Sequence, residues 1–229
     1  MQKILITALI AGLFAGFISF GVQAFKLSPL ILHAEVFEDA AAAKEAAMPG
    51  HDHDHGEDEW QPANGFERKA YRAVADLGVG VGYALVLIGA FSLRGDRMTA
   101  QRGLFWGLAG FAVFALAPGF GLPPELPGTL SADLTPRQLW WASTAAATAL
   151  GLALMVFGRS NGYKALGLAA LILPHVIGAP HPETLGGPVP PELNAEFAAA
   201  SLATAAIFWV VLGTVSGWLY GRKDNRLPV

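Results

Sequence analysis

The sequence predicts an all-α fold, a polytopic membrane helix bundle of about six transmembrane helices with a long His/Asp-rich outer loop. Three observations carry this. Of 229 residues, 53% are hydrophobic and only 14% charged, against about 25% charged in soluble domains, and the mean hydropathy is +0.44. The apolar residues fall in long blocks rich in Gly, Ala and Trp, and a membrane span takes roughly 20 such residues. One connector carries His51-Asp52-His53-Asp54-His55, then Gly56-Glu57-Asp58-Glu59, flanked by Ala, Pro and Gly residues that cannot build a core.

The first span runs over residues 4–25 behind Lys3. Val22-Gln23-Ala24 resembles a small-residue cleavage site, but the apolar run exceeds the roughly 7 to 15 residues of a signal-peptide core, so it reads as an uncleaved span. Gly12 and Gly16, with Ala8, mark a small-residue face where another helix can pack. Residues 33–71 read as a long, largely mobile polar loop. It contains His33, Glu35, Glu38, an Ala-rich piece and the His/Asp tract.

The second span covers 72–93, with Asp76 one turn inside its start. The third, 103–117, is short and carries Gly103, Gly107 and Gly110 on one face; a rigid loop from Pro118 to Gly128 follows. The fourth, 138–157, opens on the interfacial pair Trp140-Trp141. The fifth, 165–177, is interrupted by Pro174-His175 before Gly178-Ala179-Pro180-His181-Pro182. The sixth, 195–220, sets Gly213, Gly217 and Gly221 at four-residue spacing. These glycine faces read as helix packing, and such a face can also receive a partner span, which leaves a homo-oligomer open.

Charge orients the bundle. With six spans, one side holds Lys3, Arg94, Arg97, Arg102, Arg159, Lys164, Arg222, Lys223 and Arg226 against Asp96 and Asp224. The positive-inside rule makes that side cytoplasmic, with both termini on it, and the acidic, His-bearing side extracytoplasmic. Arg68, Lys69 and Arg72 oppose the rule locally. The repeat of Pro123-Pro124-Glu125-Leu126 as Pro190-Pro191-Glu192-Leu193 fits two parallel hairpins, although composition alone can produce it.

Net charge is −3 and Lys and Arg form no basic surface, which argues against a nucleic-acid partner. The chain has no cysteine, so any metal site uses nitrogen and oxygen. Imidazole with carboxylate suits Co²⁺, Ni²⁺ or Zn²⁺ better than Mg²⁺ or Ca²⁺. The metal candidates are His51, His53 and His55 in the tract, His175 and His181 held by neighbouring prolines, and His33, Glu35 and Glu38 after the first span. The tract suits capture, or is a solvated acidic linker. Asp76 is a candidate for the translocation path, since an ionisable group inside a span usually faces a cavity or a partner; pairing with Arg72 is the competing reading.

His33-Ala34-Glu35-Val36, the tract with Trp60-x-Pro62 and Gly65-x-Glu67-Arg68, Gly103–Phe111, Leu122–Gly128, Gln138-Leu139-Trp140-Trp141 and Pro174-His175-x-x-Gly178-Ala179-Pro180-His181-Pro182 together resemble the CbtA family of predicted cobalt transporter subunits, over nearly the whole chain. The resemblance implies a bacterial inner-membrane protein of five or six spans acting in cobalt uptake for cobalamin biosynthesis. It also implies a small single-span CbtB-like partner with its own His-rich end.

The expected mechanism is capture of Co²⁺ on the outer tract, transfer to His175 and His181, with His33, Glu35 and Glu38 as further candidate ligands, and passage into the bundle near Asp76. The sequence holds no Gly-x-x-x-x-Gly-Lys-Ser/Thr loop, so an ATP-driven step would belong to another protein. A membrane-anchored metal-binding or sensing protein is the alternative. An enzyme is disfavoured, because there is no His-Glu-x-x-His pair and no nucleophile beside a base.

Overall fold

The apolar blocks fold as helices throughout the computed structural model, which describes residues 2–46, 62–63, 65–184 and 186–224. In order they are α1 (Gln2–Ala46), α2 (Phe66–Arg94), α3 (Ala100–Phe111), a π-helical turn (Ala112–Leu116), α4 (Ala117–Gly121), α5 (Leu134–Phe157), α6 (Asn161–Ile177) and α7 (Pro191–Asp224). His51, His53 and His55 lie outside the described residues.

Among the described residues five helices, where six were expected, are long and apolar enough to cross a membrane: α1, α2, the continuous rod Ala100–Gly121, α5 and α7. The expected fifth span, α6, has 17 residues, about 25 Å of helix against a hydrocarbon core of about 30 Å. Its short length follows from its end, where Pro174 lacks a backbone donor and Gly178 leaves helical geometry at φ 86°. α6 still runs antiparallel to α5, since His175 near its end lies beside Trp140 near the start of α5.

Both ends of the stretch 33–71, expected as loop, are helical. α1 continues without a break through Pro29 to Ala46, and α2 already begins at Phe66. Ala40–Ala43 and Lys44 are strong helix formers, and their propensity prolongs a helix already nucleated by the apolar run. Polarity ends a span here, but it does not end a helix.

The third span is also longer than expected, reaching Gly121 through Pro118. Proline cannot donate to a carbonyl four residues back and its ring crowds that carbonyl. The chain answers with a widened turn: the Ala117 N–H bonds the carbonyl of Ala112, five residues earlier, and the helix continues past the proline.

Two helix pairs cross at backbone contact. A Cβ on Gly12 or Gly80 would collide with the other helix's backbone where α1 meets α2, and Gly103 and Gly107 of α3 meet Gly213 and Gly217 of α7 in the same way. Around these crossings Ile88, Phe91 and Leu212 are fully buried, with Trp209 nearly so. The Tyr83, Phe114 and Trp209 rings pack on one another, Phe114 and Trp209 stacked at 5.6 Å. The outer surface is apolar, with Phe25, Leu93 and Val176 at least 75% exposed, as a lipid-facing surface requires.

The helices alternate in direction, so the ends separate chemically. At one end Arg94 lies over the Phe157 ring at 4.0 Å and a Cβ on Gly221 would meet the Met98 backbone. At the other, Ala34, Leu126, Val189 and Leu193 form a small buried cluster. Leu126 and Leu193 close the two Pro-Pro-Glu-Leu copies, yet the first copy is loop and the second opens α7. Asn194 joins them: its Oδ1 accepts from the Leu126 N–H at 3.4 Å and the Thr129 hydroxyl at 3.0 Å.

Candidate functional site

The Leu126–Leu193 end gathers the chemically able side chains. His175 and His181 line one cleft of about 360 Å³ with Phe120, Trp140 and Ala179. The His175 ring stands edge-on to Phe120 and Trp140, with centroids 6.2 and 6.0 Å away. The Trp140 indole N–H is buried and has no hydrogen-bond partner. Both histidines are exposed to whatever fills the cleft.

The candidates His33, Glu35 and Glu38 do not line that cleft. His33 is exposed on α1, its ring 5.3 Å from Phe37 one turn later. Both oxygens of Glu35 accept from the Arg68 guanidinium of α2, which ties the extension of α1 to the start of α2. Glu38 is exposed. Among the described residues no three His, Cys, Asp or Glu side chains assemble as a metal-holding group. A five-residue site from His33, Glu35, Glu38, His175 and His181 is therefore not formed, and the cleft offers two imidazoles.

Deeper in the bundle, α1, α2, α7 and the π turn line a pocket of about 290 Å³ whose polar residues include Ser19, Gln23, Asp76, Ser201 and Thr204, with Tyr83 and Trp209 further along. The Gln23 amide organises it. Its Nε2 donates to Asp76 Oδ1 at 2.8 Å and to Ser19 Oγ at 3.1 Å, and its Oε1 accepts from Arg72 at 3.2 Å. Arg72 also donates to Ser28 Oγ at 3.1 Å. The Arg72–Asp76 pairing that was the competing reading is thus not direct: the amide stands between the charges. Asp76 Oδ2 and Ser201 Oγ are buried without partners, a costly state unless something else binds them.

Sequence reasoning missed Gln23, which it had placed in a cleavage-like tripeptide. A signal was available. Gln23 is the one side-chain amide between Ile4 and Phe25, and Gly12, Gly16, Ser19 and Gln23 follow helical spacing on one face.

A third cavity, of about 880 Å³, opens beside this pocket between the 122–131 loop, α5 and α7. Its polar wall holds Glu125, which accepts from Arg137 at 2.8 Å and from the Ser131 hydroxyl. Phe114, Ala115, Ser201 and Ala205 line both cavities. The π turn sets Phe114 and Ala115 between them, so the irregular backbone forms the partition.

The sequence profile of a family described as probable cobalt transporter subunit (CbtA) matches residues 1–221, from the first helix to the last turns of α7. No curated protein and no solved structure matches the chain. The chain belongs to the CbtA family.

Proposed function

We propose that this subunit of a cobalt transporter takes up Co²⁺ from the side of the membrane that bears its histidines. The tract His51, His53 and His55 collects the ion, His175 and His181 receive it, and it passes into the helix bundle. The observation that carries this reading is the shared cleft of His175 and His181. It opens at the end where α1 leaves and α2 returns, that is, where the chain carrying the tract is attached. Imidazole nitrogens suit a borderline divalent ion, and two such ligands hold it less firmly than a closed site would, as transfer requires.

Charge supports the orientation. Lys3, Arg94, Arg97, Arg102, Arg159, Lys164 and Arg222 gather at the opposite end, which the positive-inside rule assigns to the cytoplasm of a bacterial inner membrane, together with both termini. Inward movement of a divalent cation at 100 mV gains roughly 4.6 kcal/mol. A two-imidazole cleft leaves coordination positions open, and a small single-span subunit with its own histidines, of the CbtB kind, would fill them.

Cobalt uptake into proteoliposomes, with and without such a subunit, tests the reading. Saturable accumulation inside the vesicles is the expected result. Binding of Co²⁺ without accumulation under either condition would leave a membrane-anchored metal-binding protein instead.

A further inference from the structure

We infer that the pocket between α1, α2 and α7 binds a monovalent cation, sodium or a proton, against the Asp76 carboxylate. Its donors set it apart from the histidine cleft. Every group free to coordinate there is an oxygen. Asp76 Oδ2 and Ser201 Oγ are buried and unpartnered. Thr204 spends its hydroxyl proton on the Ala200 carbonyl at 2.8 Å, which leaves its lone pairs free, and Ser19 Oγ accepts one bond and has a second lone pair. Gln23 is committed at both ends, its nitrogen to Asp76 and Ser19 and its oxygen to Arg72.

Charge decides the valence. The pocket lining holds one carboxylate and no imidazole. With Arg72 just beyond the Gln23 amide already offsetting the one carboxylate, a divalent ion there would leave two uncompensated positive charges in a low-dielectric interior, a costly state, whereas sodium leaves one and a proton on Asp76 likewise adds only one. Borderline divalent ions also favour imidazole over hydroxyl oxygen. The other charged or titratable groups facing Asp76 are Arg72, reached through Gln23, and the Tyr83 hydroxyl two turns further along α2; α1, α7 and the π turn bring none to the lining.

The position gives the ion a consequence. Ser201 lines both this pocket and the larger outer cavity, so occupancy at Asp76 alters a wall that the outer cavity shares. That this coupling drives cobalt rests on the transport reading above; the binding itself does not.

Thermal unfolding of the purified full-length protein tests it, with sodium exchanged for choline at constant ionic strength, and separately with pH varied in sodium-free buffer. Saturable stabilisation by sodium, or a stability step with pH, is expected in the parent. Asp76→Asn, which keeps the Gln23 bond, removes either response, and Ser201→Ala weakens a sodium response by about tenfold or more while sparing a proton response. A parent indifferent to both ions, responses that survive Asp76→Asn, or stabilisation through Asp76 by Co²⁺ alone overturns the inference. If the response is present but vesicles accumulate no cobalt, the pocket stands and the transport reading fails; cobalt uptake by a protein indifferent to sodium and pH is the reverse.

Discussion

Gln23 and Asp76 lie 53 residues apart in the chain and 2.8 Å apart in the bundle, and the amide that joins them also holds Arg72 at 3.2 Å. A neutral amide between a cation and an anion satisfies both without collapsing them into an ion pair, and so leaves one carboxylate oxygen free. Gln23→Leu strips Asp76 of its donor and Arg72 of one acceptor. The expected cost is about 1–3 kcal/mol, seen as a lower unfolding temperature in detergent; an unchanged temperature would mean that the amide is incidental.

The crossing of α3 and α7 predicts a contrast between glycines. A Cβ at Gly213 would meet the carbonyl of Gly103 and the backbone of Gly107, while one at Gly89 finds nothing within 4 Å. Gly213→Val should therefore force the helices apart, at about 1–3 kcal/mol, and Gly89→Ala should be neutral or slightly stabilising because alanine favours the helix. Equal effects in thermal unfolding would show that small size at Gly213 is not what the crossing needs.

The two sites were not equally legible in the sequence. Apolar blocks and helical glycine spacing report local periodicity, and they pointed to the helices directly. Helix ends were harder, because Ala40–Ala43 prolong α1 by propensity where polarity suggested a loop, and Pro118 suggested a break that a π turn absorbs. The pairing of His175 with His181 follows from their closeness in sequence. The Asp76 pocket needed three helices to meet, and no local pattern states that Ser201 of α7 lines one pocket with Asp76 of α2. The engagement of Glu35 was hidden for the same reason: the cation that it binds, Arg68, stands 33 residues away.

That pairing yields a discriminating prediction. Both Glu35 oxygens are taken by Arg68, and the two side chains are 28% and 41% exposed, so the bridge contributes at most about 1 kcal/mol. Glu35→Gln should leave the half-saturating Co²⁺ concentration of uptake unchanged and lower stability only slightly. A marked rise in that concentration would return Glu35 to the list of ligands.

The histidines make the last prediction, because capture and transfer load different parameters. A collecting segment raises the local ion concentration, so replacing His51, His53 and His55 together by Ala should raise the half-saturating Co²⁺ concentration and leave maximal uptake largely intact. His175 and His181 lie in one cleft, and losing either removes one of two nitrogens from the proposed transfer step; His175→Ala or His181→Ala should cut maximal uptake by about tenfold or more. Both rings are exposed, so neither substitution should move the unfolding temperature, which separates lost transport from lost fold. An equal loss of maximal uptake from the tract and from the cleft would show that the ion meets all five histidines in one step, and the order of capture before transfer would fall.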